Sequence, residues 1–295
     1  MRNKKYKIGL VLAIIVAILA LAINYFNHHT VAVLEPRGPI ALKEKNLLLL
    51  SVEIMLIVAI PVFVLTFLIV YKYREGHKHK YKPEFDHSLL LESIWWLIPT
   101  VIIVILGTIT WRATYQLNPY TPIASRYKAL HIEVVALDWK WLFIYPGQHI
   151  ASVNSLILPV NRPVTFYITA DAPMNSFWIP QLSGQIYAMA GMSTELNLMA
   201  TSIGTYYGSS ANISGNGFAG MNFKTHAESL ANFKSWINQA KSSQNTLSWK
   251  QYEKLATAST NNPVAYYKDP DPNLYTSVIN QYMAPGAQGG SIMEM

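Results

Sequence analysis

The sequence predicts a membrane protein of mixed α and β class: transmembrane helices near the N-terminus, then a β-sandwich or barrel, then a small helical extension. Three observations carry that expectation. Hydrophobic residues fill 51% of the 295 positions and charged residues only 13%, against about a quarter charged in soluble domains. Three uncharged apolar runs lie within residues 1–112. From Leu130 onward, short β-branched and aromatic runs alternate with turn residues, the pattern of sandwiches and barrels.

Residues 1–24 read as a signal peptide or N-terminal anchor. An uncharged run over residues 8–23 follows Arg2, Lys4, Lys5 and Lys7, and a basic start before a short apolar stretch is the signature of secretory signals. The run is shorter than the roughly 20 residues a span needs, and Ala20-Leu21-Ala22 supplies small residues for cleavage. Residues 25–112 read as a transmembrane hairpin, with helices at about 47–70 and 93–111 joined by a loop over 72–91. Pro61 falls inside the first helix, where membrane helices tolerate a kink. Trp95, Trp96 and Trp111 flank the second, as in interfacial aromatic belts.

Charge gives these segments a direction. Residues 1–126 hold 14 Lys and Arg against 7 Asp and Glu, whereas residues 127–295 hold 9 of each. The net +7 therefore surrounds the apolar runs. No basic patch of the kind nucleic acid requires is visible on the C-terminal part. Lys72, Arg74, Lys78, Lys80 and Lys82 place the 72–91 loop in the cytoplasm by the positive-inside rule, and the N-terminal cluster agrees. Residues 112–295 are then external. His77, His79 and His87 in the loop read as solvated rather than as metal ligands. The chain has no cysteine, hence neither disulfides nor thiolate metal sites.

After the hairpin, residues 113–129 with Pro119 and Pro122 read as a linker, and 130–226 as the external domain. Its strands are expected at His131–Tyr145, Ser155–Val160, Val164–Thr169, Ser176–Ile179 and Glu195–Ala200. Residues 227–283 form an aromatic-rich helical extension, with helical spacing at Ala227–Ala240, Ser248–Thr257 and Pro272–Met283. Residues 284–295 read as a disordered tail.

The most informative stretch is Gly204 to Met221. With Asp138-Trp139-Lys140-Trp141, Met174-Asn175-Ser176-Phe177 and Gln185-Ile186-Tyr187-Ala188-Met189-Ala190-Gly191-Met192, it resembles subunit II of cytochrome bo-type ubiquinol oxidases, over about Leu34 to Met283. These belong to the haem-copper oxidase superfamily but lack its dinuclear copper site. In copper-bearing relatives the corresponding loop carries two cysteines, a glutamate, a histidine and a methionine, and an earlier histidine completes the ligands. Here Ser210 and Ser214 stand at the cysteine positions, Asn212 at the glutamate, Phe218 and Asn175 at the histidines, and only Met221 persists. Copper prefers sulfur and imidazole, so these six positions read as vestigial and the chain is expected to bind no metal. The other methionines form no thioether copper motif, and filling a core or interface is the commoner role.

The resemblance implies a cupredoxin-like sandwich and a non-catalytic subunit of a proton-translocating oxidase that oxidises ubiquinol and reduces oxygen to water. Haems and copper are then expected in subunit I, and the chain lies in the bacterial inner membrane with its C-terminal domain in the periplasm. Subunit I, further oxidase subunits and membrane lipid are the expected partners. Nucleic acid and cytochrome c are not. Glu92 in Glu92-Ser93-Ile94-Trp95 resembles a glutamate at the entrance of a proton pathway; as an acid at a helix start it also suits the macrodipole. Glu53 has no role implied. Two other functions remain open on the residues alone: a copper-carrying electron acceptor of a cytochrome c oxidase, and a membrane-tethered binding module.

Overall fold

The computed structural model describes residues 31–74 and 87–283, with scattered positions between 13 and 24. Most of the segment 1–24, most of the 72–91 loop and the tail 284–295 lie outside the described residues. Two compact units divide the chain, residues 42–122 forming the smaller one.

Helix α1 runs Pro39–Lys72 and α2 runs Leu89–Gln116. Both exceed the expected 47–70 and 93–111, because hydropathy marks only the part suited to hydrocarbon while the hydrogen-bonded backbone continues into polar residues such as Lys43 and Glu44. At 1.5 Å per residue, 34 residues span about 51 Å, ample for a hydrocarbon core of about 30 Å. Pro61 and Pro99 lie inside the helices. Hydroxyls here donate to carbonyls four residues back: Ser51 to Leu47 at 2.8 Å, Thr66 to Val62 at 2.7 Å, Thr100 to Trp96 at 2.7 Å and Thr108 to Val104 at 2.8 Å. Such closure is what a polar group needs where there is no water. No side chain of α2 is buried within the chain, and only Ala41 of α1 is. Apolar area this large left uncovered marks a lipid or protein contact.

The larger unit is built on two sheets. Strands β1 (Leu130–Leu137), β2 (Lys140–Tyr145), β3 (Ile150–Val153), β5 (Val164–Asp171), β8 (Thr194–Leu198) and β11 (Ala265–Lys268) form one, in the order β11-β3-β2-β1-β5-β8. Strands β4 (Ser155–Pro159), β6 (Asn175–Trp178), β7 (Ile186–Ala188), β9 (Gly204–Ser210) and β10 (Asn222–Glu228) form the other, in the order β4-β10-β9-β6-β7. β1 pairs parallel with β5, and β4 with β10; the other pairs are antiparallel. Alternate residues Ile132, Val134 and Ala136 of β1 point into the shared core, as the two-residue period demands. At its centre Phe177 stacks on Phe223 with ring centroids 5.3 Å apart, and Trp141 meets both edge-on at 5.4 and 5.8 Å.

Four expectations need correction. The run His131–Tyr145 is a hairpin, not one strand, because Trp139 takes a left-handed φ of 61° and turns the chain. The stretch beginning at Gly204 opens as strand β9 before it becomes a loop. The external domain passes its expected limit at 226, since β10 runs to Glu228. The extension 227–283 is not purely helical: β11 completes the open edge of β3, with Tyr266 packing on the inner core and Tyr267 on the outer one. In addition, residues 31–41 belong with the sandwich rather than with the hairpin. Arg37 N–H donates to Gln181 O at 2.6 Å and Thr201 N–H to Arg37 O at 2.8 Å. Gly38 permits that approach, for a Cβ there would lie 2.6 Å from the Met199 carbonyl oxygen.

Helices α3 (Leu230–Lys241), α4 (Trp249–Ala256) and α5 (Leu274–Asn280) complete this unit. α3 starts at Ser229, whose side chain accepts from Asn232 N–H at 3.2 Å, an N-cap. Tyr252, Leu274, Tyr275 and Val278 of α4 and α5 cover the outer face of the first sheet at Val135, Leu137, Leu142 and Ile144. Asp171 holds this layer down, accepting from Tyr252 Oη at 2.6 Å and Tyr282 Oη at 2.5 Å.

Beside this layer, burial raises the Glu133 carboxyl from 4.5 to about 7. A raised acid favours the folded state while protonated. Its contribution is therefore full below pH 4.5 and is lost as pH rises to about 7. The Glu133→Gln variant is expected to lose less stability than the parent between those limits, measured as melting temperature against pH.

Candidate functional site

The six positions that the sequence reads as vestigial lie where β6 and β9 meet and in the loop after β9. β6 and β9 pair antiparallel, Phe177 facing Ser210. That register puts Asn175 and Ser210, 1% and 5% exposed, side by side in the interior. Ser210 Oγ lies 2.9 Å from Asn175 Oδ1 and 3.1 Å from Asn212 O, and its single proton is shared between these acceptors. The same oxygen accepts, at 3.4 Å, from the backbone amides of Ser176 and Asn212. Asn175 Nδ2 donates to Pro173 O at 2.8 Å, and Asn212 Nδ2 to Met174 O at 2.9 Å.

Thus Asn175, Ser210 and Asn212 come together and satisfy one another. Met221 joins through its backbone only: its carbonyl accepts from Ser210 N–H at 3.3 Å, while its side chain lies in the apolar core. Ser214 Oγ is buried with no partner among the described residues, and Phe218 is half-buried in a 3-10 turn. Neither contributes a hydrogen-bonding side chain to the network.

Trp139 covers the loop. A Cβ on Gly217 would fall 2.3 Å from Trp139 Cδ2, and one on Gly215 would lie 3.2 Å from Cζ2. Gly215 also has φ of +119°, open to glycine alone. The loop keeps its glycines because an indole lies on them.

Sequence reasoning missed the support behind that indole. Lys140, 1% exposed, donates through Nζ to Thr257 O at 2.8 Å and Ser259 Oγ at 2.5 Å. Burial pulls its amine below the usual range, and Asp138 opposes the shift. Asn154 accepts from Trp141 N–H at 2.9 Å and donates to Asn262 O at 2.9 Å. Residues 257–262 of the extension therefore brace the Trp139 hairpin. A lysine between two tryptophans was the available signal, since a long amphipathic side chain in an apolar setting must find acceptors.

As a metal site the donor set does not fit. Hydroxyl and amide oxygens committed to one another offer neither the soft sulfur nor the imidazole that a thiolate-bridged copper pair needs. No group of three or more His, Cys, Asp or Glu is placed to hold a metal ion among the described residues. Glu92 belongs to the other unit: it lies exposed in the first turn of α2, its N–H donating to Ser88 O at 2.9 Å.

Residues 103–227 match the family described as Cytochrome C oxidase subunit II, periplasmic domain, and residues 241–286 match the COX Aromatic Rich Motif. A Pseudomonas putida protein, "Cytochrome bo(3) ubiquinol oxidase subunit 2", is 47% identical over 84% of this chain and 80% of its own length. "Ubiquinol oxidase subunit 2" of Acetobacter aceti is 46% identical over 85% of this chain and 82% of its own. The chain belongs to the ubiquinol oxidase subunit 2 family. "Quinol oxidase subunit 2" of Bacillus subtilis, at 37% over 82% of this chain, extends the set. Among solved structures, the periplasmic domain of subunit II of cytochrome oxidase (CoxB) of Bradyrhizobium japonicum aligns at 25% identity over 39% of this chain and 95% of its own, with a TM-score of 0.37.

Family membership and the two apolar helices make this an inner-membrane protein, with the cupredoxin-like sandwich expected of such a subunit II. The second match spans Trp249, Tyr252, Tyr267 and Tyr275 of the outer layer, Tyr282 on Asp171, and Tyr266, which faces the inner core.

Gly217→Ala is expected to displace Trp139, shifting tryptophan fluorescence and lowering stability by about 1–3 kcal/mol, the usual cost of overpacking. Unchanged emission and melting temperature would separate the indole from the loop.

Proposed function

We propose that the chain serves as the non-catalytic subunit II of a proton-translocating ubiquinol oxidase, which reduces oxygen to water, with haems and copper held by subunit I. The observation that carries this reading is the Ser210–Asn175 hydrogen bond: two former ligand positions are joined to each other. Electrons from a cytochrome c would have no acceptor here. Nor does the external part have an acidic excess to steer such a basic partner, with nine bases against nine acids over residues 127–295.

The chain's contribution is then structural. α1 and α2 offer apolar faces to subunit I, further subunits and lipid, and the sandwich covers the external side of the complex. Charge asymmetry around the helices supports a cytoplasmic 72–91 loop. On that topology Glu92 stands at the cytoplasmic start of α2, where a carboxylate can hand protons to a pathway in subunit I. The copper-carrying alternative is disfavoured by its missing donors, and an independent tethered module by membership in a family of oxidase subunits.

Two outcomes are expected. Metal analysis of the isolated chain gives well under one copper per molecule and no purple absorption band; two coppers per chain would reverse the assignment. Glu92→Ala slows proton uptake by the reconstituted oxidase several-fold while the complex still assembles. Uptake at the parent rate would leave Glu92 a helix-end residue only.

A further inference from the structure

The larger unit contains a cleft of about 400 Å³, remote in sequence from the vestigial loop, that the reading above does not use. Its walls include Tyr127, Val160 and Leu230, and its cations are Arg126, Lys128 and Arg162. No carboxylate lines it. Three cations, Lys128 and Arg162 among the nine bases that face nine acids over residues 127–295, meet around an apolar floor.

Their positions are defined. Arg162 Nε donates to Lys128 O at 2.9 Å, which holds the guanidinium at the cleft and leaves its terminal nitrogens for a ligand. The Arg126 guanidinium lies 5.2 Å from the centre of the Tyr127 ring. None of the three cations forms an ion pair among the described residues. Leu230 is the first residue of the 12-residue α3, so the positive end of that helix adds to the same field. The nearest acid in sequence, Glu228, is engaged by Asn232 Nδ2 at 3.0 Å and lines a different depression.

We infer that this cleft binds a phosphate ester, and that the headgroup of an anionic phospholipid is its source. Guanidinium groups match phosphate oxygens in pairs, and lysine adds a mobile point charge. A free phosphate would use the cations alone. A lipid would also use the floor, where Tyr127 and Leu230 remain 50% and 49% exposed. Chain connectivity favours the lipid: Arg126 follows the end of α2 at Gln116 by ten positions. A bilayer that holds α2 is then a concentrated supply of phosphodiesters for a segment ten positions further along the chain.

The test uses the assembled oxidase, comparing the parent with Arg126→Gln/Lys128→Gln. This variant keeps the Lys128 carbonyl that orients Arg162. Native mass spectrometry from mild detergent should find one more retained phosphatidylglycerol per complex in the parent. Titration with phosphatidylglycerol in mixed micelles should show binding about tenfold weaker or more in the variant, as expected for two cations lost near a membrane surface. Quinol oxidase activity and melting temperature without added lipid should stay the same. Sodium phosphate separates the sources: competition with the lipid means that free phosphate can fill the same cleft, and absence of competition assigns the cleft to lipid. Equal phosphatidylglycerol retention in both proteins, with no phosphate-dependent rise in melting temperature of the parent, overturns the inference.

Discussion

A buried hydroxyl between two strands sets what this molecule can do. Ser210 Oγ is bonded to Asn175, to the carbonyl of Asn212 and to two backbone amides. Buried polar groups without partners are costly, and here each finds its partner inside the cluster. Closed in that way, the cluster acts as a joint. It ties β6 to β9 and fixes the start of the loop, on which Trp139 then rests.

That joint and the indole above it account for the loop's glycines. Gly217 and Gly215 are demanded by the indole above them, irrespective of any metal. Trp139 in turn depends on the hairpin at Asp138, braced from behind by Lys140 and Asn154 through the loop over residues 257–262. The aromatic-rich extension is therefore part of the site's architecture. Its strand β11 completes a sheet edge, its helices cover that sheet's outer face, and Asp171 secures them with two tyrosine hydroxyls.

The two units divide the work by solvent. The sandwich buries a core of its own, around Trp141, Phe177 and Phe223. The helices leave theirs uncovered and close their hydroxyls onto their own backbone, a solution suited to surroundings without water. A subunit with a self-contained sandwich and uncovered apolar helices is built to be completed by its complex. The cationic cleft gives the sandwich unit a surface for an anionic headgroup.

Much of this was legible in the chain before folding. Hydropathy located both helices, because the bilayer's demand for uninterrupted apolar residues is local in sequence. The donor types at Ser210, Ser214, Asn212, Phe218 and Asn175 could be read directly, and donor type is what copper affinity follows. What the chain could not declare were the meetings of distant residues: Asn175 with Ser210, Lys140 with Ser259, Gly217 with Trp139, and β11 with the edge of β3. Nor could it tell that Trp139 ends a strand, for tryptophan is an ordinary strand residue and only the crowded glycine loop beneath gives its left-handed turn a purpose. Composition fixes which chemistry is available; strand register decides which of those groups come within hydrogen-bonding distance, and register is a property of the whole sheet.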